Sequence, residues 1–129
     1  MLPIDQLTYS IIGCAMRIHT SMGNGFQEVI YQRCLEMEFE LAKITFEREK
    51  EMPIYYLGKS VGTRRVDFLV SNIIVVELKA VEQLLAVHYA QAINYCEAYH
   101  IRHGLLINFG SIKLEFKRVY NKKLLPSIS

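Results

Sequence analysis

Cysteine is scarce in this chain, and its three thiols, Cys14, Cys34 and Cys96, lie far apart. An odd, scattered set argues against a disulfide framework, and no pair has the spacing of a zinc site. Each falls in a segment of helical periodicity, so all three read as buried free thiols. No apolar run approaches the roughly 20 residues of a membrane span, so no membrane partner is expected. The opening MLPIDQLTYS lacks the basic start and apolar core of a signal peptide, and a cytoplasmic protein is expected. There is no internal repeat, linker or low-complexity tract, and residues 1–129 suffice for one domain with its own core. A glycine-rich phosphate loop and a dinucleotide fingerprint are both missing, which weighs against a hydrolase of small phosphate compounds.

What remains is an ordinary globular composition, 51% hydrophobic and 22% charged. The net charge of +2 is unevenly spread. Residues 1–58 hold five Lys/Arg against eight Asp/Glu, whereas residues 59–129 hold ten against five. The basic half, with its tail Lys113, Lys117, Arg118, Lys122 and Lys123, suits a phosphate backbone. A solvated strand and tail accounts for the same charges equally well.

Apolar spacing predicts a helix from Ile4 to about residue 21, stopped by Ser21-Met22-Gly23-Asn24-Gly25. A second helix is expected from about Gln27 to Ala42, with Val29, Ile30, Cys34, Leu35, Met37 and Leu41 mostly inward. Strands follow at Thr45–Glu49 and Glu51–Leu57, then a turn at Gly58-Lys59-Ser60. Val66–Val70 and Ile73–Leu78 read as a hairpin across Ser71-Asn72. The run IIVVEL is apolar on both faces, the mark of a central strand covered from both sides. A third helix spans about Gln83 to Tyr99, and strands Gly104–Phe109 and Leu114–Val119 close the chain around a turn at Gly110-Ser111. This order packs as an α/β domain, a mixed central sheet flanked by helices.

The segment RVDFLVSNIIVVELKA, Arg65 to Ala80, carries the chemistry. Asp67, Glu77 and Lys79 fall inside two expected strands, where a lone charge is costly to desolvate. Glu77 and Lys79 share a strand face with Ile73 and Val75, while Ile74, Val76 and Leu78 point the other way. A tight two-residue turn at Ser71-Asn72 would put Asp67 opposite Val76, on the wrong side. An odd-length turn or a bulge puts Asp67 opposite Glu77 and Arg65 opposite Lys79. Two carboxylates so placed can hold Mg²⁺, a hard ion that favours oxygen ligands. Lys79 beside them can orient a water or neutralise transition-state charge. A buried acid–lysine pair that only sets strand register is the plain alternative, although such pairs are often neutral for stability or worse.

Two helical patterns accompany this segment. His88, Gln91 and Tyr95 stand at i, i+3 and i+7 on one face, within a Gln-x-x-x-Tyr spacing. Upstream, Glu28 and Tyr31 share a face behind Gly25. Gly25, Glu28 and Tyr31 resemble the namesake motif of the bacterial GxxExxY proteins. Asp67…Glu77-Leu78-Lys79 resembles the core of the PD-(D/E)XK nuclease superfamily, and Gln91-x-x-x-Tyr95 is similar to a motif of its RecB-like and Cas4-like branches. The likeness runs from about Ile4 to Tyr120, with Val66 standing where the superfamily has proline. No counterpart of the iron–sulfur cysteines of some RecB-like members is present.

The resemblance implies a restriction-endonuclease-like fold with helices on both sides of a mixed sheet. It implies Asp67 and Glu77 as Mg²⁺ ligands, with Mn²⁺ as a substitute. Glu28 would bind the metal directly or through water, Lys79 would be the catalytic lysine, and Gln91 would position the lysine, a water or the nucleic acid, with Tyr95 stacking nearby. Arg65, His88 and Tyr95 are candidate substrate contacts. The expected activity is a Mg²⁺-dependent nuclease on DNA, structure-selective or end-processing because no separate base-reading element is present. A homodimer with two sites is a subsidiary expectation. The competing reading is a catalytically silent nuclease fold that binds nucleic acid or a protein partner.

Overall fold

Helix α1 (Ile4–Met22) starts directly after Pro3, whose missing N–H costs no intrahelical bond at that position. Leu7, Ile11, Cys14, Ala15 and Ile18 form its buried stripe. Gly23, at φ 76°, ends it, and its N–H caps the His19 carbonyl. Helix α2 (Glu28–Leu41) buries Tyr31, Gln32, Leu35 and Phe39. Its inward face is therefore rotated from the expected one: Leu35 is buried, Ile30 and Cys34 are half-buried, and Val29, Met37 and Leu41 are exposed. The reason is aromatic packing, which buries more surface per residue. Tyr31 stacks on Phe109 with ring centroids 4.5 Å apart, and Phe39 meets Phe68 edge-on at 5.1 Å.

The computed structural model describes residues 3–124, so residues 1–2 and 125–129 of the expected domain lie outside the described residues. After the two helices come strands β1 (Phe46–Arg48), β2 (Glu51–Tyr56), β3 (Lys59–Arg65), β4 (Phe68–Val70) and β5 (Ile74–Lys79). Helix α3 (Ala86–Tyr99) and strands β6 (His103–Asn108) and β7 (Glu115–Tyr120) complete the order. Five strands form one mixed sheet, β1-β4-β5-β6-β7, while β2 and β3 pair only with each other. Among the described residues only the β5–β6 pairing is parallel, and α3 is the crossover that parallel neighbours require.

Strand β5 occupies the centre, as its two-faced apolar run predicts. Ile74, Val76 and Leu78 pack with Phe68, Leu105 and Ile107 under α1 and α2. Val75 and Leu106 pack with Ala92, Cys96 and Tyr99 of α3 on the other face. Helices thus cover both sides of a mixed sheet, the restriction-endonuclease-like arrangement. Ile73 differs from its expected place: it lies in the turn and packs on the α1–α2 side. Where the chain leaves β6, Gly110 runs against the exit of β5, and a Cβ there would meet Val81 N at 2.4 Å and Ala80 C at 2.5 Å. Glycine is required at that crossing, which ties together the ends of the two central strands. The three cysteines are free, with Cys14 and Cys96 buried and Cys34 half-buried.

The strand at Lys59–Arg65 is the main departure from sequence expectation. The turn falls at Leu57-Gly58, both at positive φ (50° and 79°), so Lys59 and Ser60 already belong to β3. All seven residues of β3 are exposed, and an unburied strand carries no apolar alternation to read. Helix α3 begins at Ala86 rather than Gln83, because Leu85 is still extended at φ −115°. Among the described residues no helix is long and apolar enough to cross a membrane.

Candidate active site

The β4–β5 hairpin closes with Val70 opposite Ile74, leaving Ser71, Asn72 and Ile73 as a three-residue turn. Ser71 and Asn72 take left-handed backbone angles there. The odd count brings Asp67 to the Glu77 side of the sheet. The Asp67 N–H donates to Glu77 Oε1 at 2.8 Å, and the Leu78 N–H donates to Asp67 Oδ2 at 2.8 Å. Two placements differ from expectation. Asp67 sits in a bend just before β4, and Lys79 is the last residue of β5, so of the three Glu77 alone lies in a strand's interior. At a strand end a carboxylate can accept backbone N–H groups, and charge-assisted bonds of that kind are strong.

The second Asp67 oxygen is held from α2. Gln32 Nε2 donates to Asp67 Oδ1 at 2.7 Å, Arg48 Nε donates to Gln32 Oε1 at 3.1 Å, and Arg48 Nη1 pairs with Glu36 at 3.0 Å. Sequence reading did not single out Gln32, although it stands four residues after Glu28 and so one helical turn along the same face. Buried and bonded on both sides, Gln32 fixes the Asp67 rotamer. Gln32→Leu keeps the volume and removes both bonds. The expected result is metal affinity lowered roughly 10- to 100-fold, the usual cost of losing a ligand's supporting hydrogen bond. Calorimetric Mn²⁺ titration reads this, and unchanged affinity would remove Gln32 from the site.

Burial and mutual repulsion dominate the electrostatics. Desolvation is the largest influence on Glu77 and the Asp67 charge the next, together pushing the Glu77 carboxyl up to about 9. Asp67 is also raised, chiefly by burial, against the opposing hydrogen bonds from the Leu78 N–H and Gln32. The metal-free pair therefore shares a proton at neutral pH. Glu28 opens α2 and its carboxyl is raised, first by desolvation, while Lys79 lowers it and Asp67 raises it. Glu28 thus lies within electrostatic reach of Lys79 and Asp67, and those two within reach of Glu77.

Helix α3 supplies the other wall. Lys79 Nζ donates to Gln91 Oε1 at 3.3 Å. One turn on, Tyr95 is half-buried, its phenol raised by burial and then by the Glu77 charge. The Arg64 guanidinium lies 5.8 Å from the Tyr95 ring centroid. It is therefore Arg64 that leans toward this wall. Arg65 does not face Lys79; it is exposed and pairs with Glu51 at 3.3 Å across the β2–β3 ribbon. The parity argument fails for it because the chain bends at Asp67 and Arg65 belongs to the other sheet. His88 is occupied locally, its Nδ1 accepting the Leu85 N–H at 2.9 Å to cap α3. Tyr31 closes the α1–α2 connection, its hydroxyl donating to the Gly23 carbonyl and accepting the Phe26 N–H. Neither crowding nor a positive φ demands glycine at Gly25.

Among the described residues no three His, Cys, Asp or Glu side chains are gathered into a metal cage. The donor set nevertheless fits a hard divalent cation. Asp67 and Glu77 offer oxygen ligands, and a cation beside them would displace the Glu77 proton and offset the repulsion of the ionised pair.

Comparison with known proteins agrees with this arrangement. Residues 5–119 match the profile of a family described as the PD-(D/E)XK nuclease superfamily. The crystal structure of SSO0001 is similar in fold, with a TM-score of 0.61 at 22% identity over 72% of this chain. This chain spans only 50% of that one. No curated protein matches significantly. With the profile covering nearly the whole described chain, and Asp67, Glu77 and Lys79 gathered at the end of its central strands, this protein belongs to the PD-(D/E)XK nuclease superfamily.

Proposed function

We propose that this protein is a Mg²⁺-dependent nuclease that hydrolyses phosphodiester bonds in DNA, acting on ends or on particular structures. The observation that carries this reading is the Asp67–Glu77 pair, a buried and a half-buried carboxyl held side by side against their own repulsion. An idle fold has no reason to keep so costly an arrangement, which weighs against the silent-module reading. Gly25, Glu28 and Tyr31 favour the GxxExxY branch, and the 129 residues are taken as one cytoplasmic domain.

In this reading Asp67 and Glu77 hold the metal, with Glu28 as a further ligand, directly or through water. When bound, Mg²⁺ supplies Lewis-acid polarisation of the phosphate and a more acidic water. Lys79 donates toward the attacking water and the phosphate oxygens, and Gln91 keeps its ammonium in place. Tyr95, Arg65 and the remaining ring nitrogen of His88 contact the substrate strand. Hydrolysis forms a bond from the water oxygen to phosphorus as a bridging P–O bond breaks.

The test is calorimetric titration of Mn²⁺ and Mg²⁺ into wild type and Asp67→Ala, followed by cleavage assays on single-stranded, branched and duplex DNA. Saturable binding lost in the variant, with metal-dependent cleavage by wild type, is expected. No binding even with a DNA oligonucleotide present would transfer the case to the silent module.

A further inference from the structure

The β2–β3 ribbon and the outer face of α3 enclose a cleft of about 410 Å³, within the roughly 300–1,000 Å³ range of small-ligand sites. Tyr55 and Arg64 line it from the ribbon, and Asn94, Glu97 and Lys123 from the other side. Tyr55 is 64% exposed and Asn94 is also exposed, so neither is there to fill the core. The one carboxylate, Glu97, is met by Lys123 at 2.5 Å, and Arg64 leaves the cleft electropositive.

The cleft also leads to the acids. Arg64 lies over Tyr95, whose phenol feels the Glu77 charge. The residue after β3 is Val66, whose N–H donates to the Tyr99 hydroxyl at 3.1 Å, and Asp67 follows at once. That hydroxyl in turn donates to the Lys50 carbonyl. Both strands of the ribbon are thereby anchored to α3 beside the carboxylates.

We propose that this cleft takes an unpaired base of the strand that the Asp67–Glu77 site cuts, which makes single-stranded nucleic acid the ligand class; this rests on the nuclease reading of that site. The Tyr55 ring is the stacking platform, a contact that tolerates any base. The Asn94 amide offers a donor and an acceptor to a base edge. Arg64, between cleft and acids, takes the phosphate that links the held nucleotide to the next. A duplex hides base faces and so is a poor ligand for this cleft.

Fluorescence anisotropy in EDTA, where metal-dependent cleavage cannot occur, tests the proposal with labelled single-stranded DNA, single-stranded RNA and duplex DNA. Wild type should prefer single strands, and the tighter of the two names the sugar. Tyr55→Ala should weaken single-strand binding on the order of tenfold, and Arg64→Ala should reduce the slope of log affinity against log salt by about 0.7. Tyr9→Ala, an exposed tyrosine on α1, should change nothing. Melting curves confirm that each variant folds. Equal binding of duplex, no single-strand binding, or full affinity in Tyr55→Ala overturns the cleft. Wild-type cleavage in Mn²⁺ alongside any of these rejects the cleft and leaves the nuclease reading standing. Tyr55-dependent single-strand binding without cleavage in any metal does the reverse.

Discussion

Glutamine in place of Glu77 should lower metal-dependent cleavage at least about a thousandfold, a barrier increase of about 4 kcal/mol, while leaving the fold intact. Both halves of that expectation come from one fact. Glu77 is 6% exposed and its carboxyl is pushed up to about 9, so the metal-free protein carries it protonated at neutral pH. A neutral amide is close in shape and charge to that protonated acid. Its oxygen can still accept the Asp67 N–H, so no buried donor is orphaned. What glutamine cannot provide is the negative charge that a divalent cation would draw out by displacing the proton. Single-turnover cleavage with excess enzyme reads the loss, and thermal melting in EDTA reads the fold. Wild-type cleavage by Glu77→Gln would remove Glu77 from the proposed machinery. A collapsed melting transition would instead assign it a structural role.

Stability of the metal-free protein should fall as pH rises from about 5 to about 9. Glu77 has a folded-state value of about 9 against an ordinary 4.5, so between those limits the folded state binds more protons than the unfolded state. Stability is then fully present below the unfolded value and is lost as pH climbs through the folded one. The slope for one such proton is at most about 1.4 kcal/mol per pH unit. Asp67 is raised as well and adds to the same trend. Mg²⁺ or Mn²⁺ should stabilise the protein more at pH 9 than at pH 5, because the cation competes with the proton. Differential scanning calorimetry in EDTA across this range gives the profile, and the same series on Glu77→Gln isolates the Glu77 part by flattening it. A melting temperature that rises toward pH 9, or identical profiles for both proteins, would contradict the burial argument.

The basic half of the chain is less free than its composition suggests. Arg118 pairs with Asp5 at 2.9 Å and Lys123 with Glu97 at 2.5 Å, so part of the excess is spent within the fold. On the ribbon, Arg64 and Arg65 stand at the end of β3 that leads to Asp67, whereas Lys59 stands at its turn. Arg65 shares its charge with Glu51, which leaves Arg64 as the one that connects ribbon and acids.

Read alone, the chain disclosed the elements whose burial is periodic. The run IIVVEL marked β5 as central because a strand covered on both faces has no polar side; whether Asp67 could meet Glu77 hung on a turn parity that the sequence left open and the three-residue turn supplies. The stop of α1 at Gly23 and the Gln91-x-x-x-Tyr95 face were legible for the same local reasons. Strand β3 was not, since all seven of its residues face solvent and leave no apolar period. Nor was the face of α2, where Tyr31 and Phe39 turn inward to stack on Phe109 and Phe68 and Met37 and Leu41 turn out. That rotation is what carries Gln32 to Asp67, a contact spanning 35 positions. The turning of Arg65 away from Lys79, the approach of Arg64 to Tyr95 and the cleft between the ribbon and α3 likewise arise where separate elements meet. Periodicity records which side of one element is dry; which residues of two elements touch depends on how they pack, and only the tertiary structure decides that.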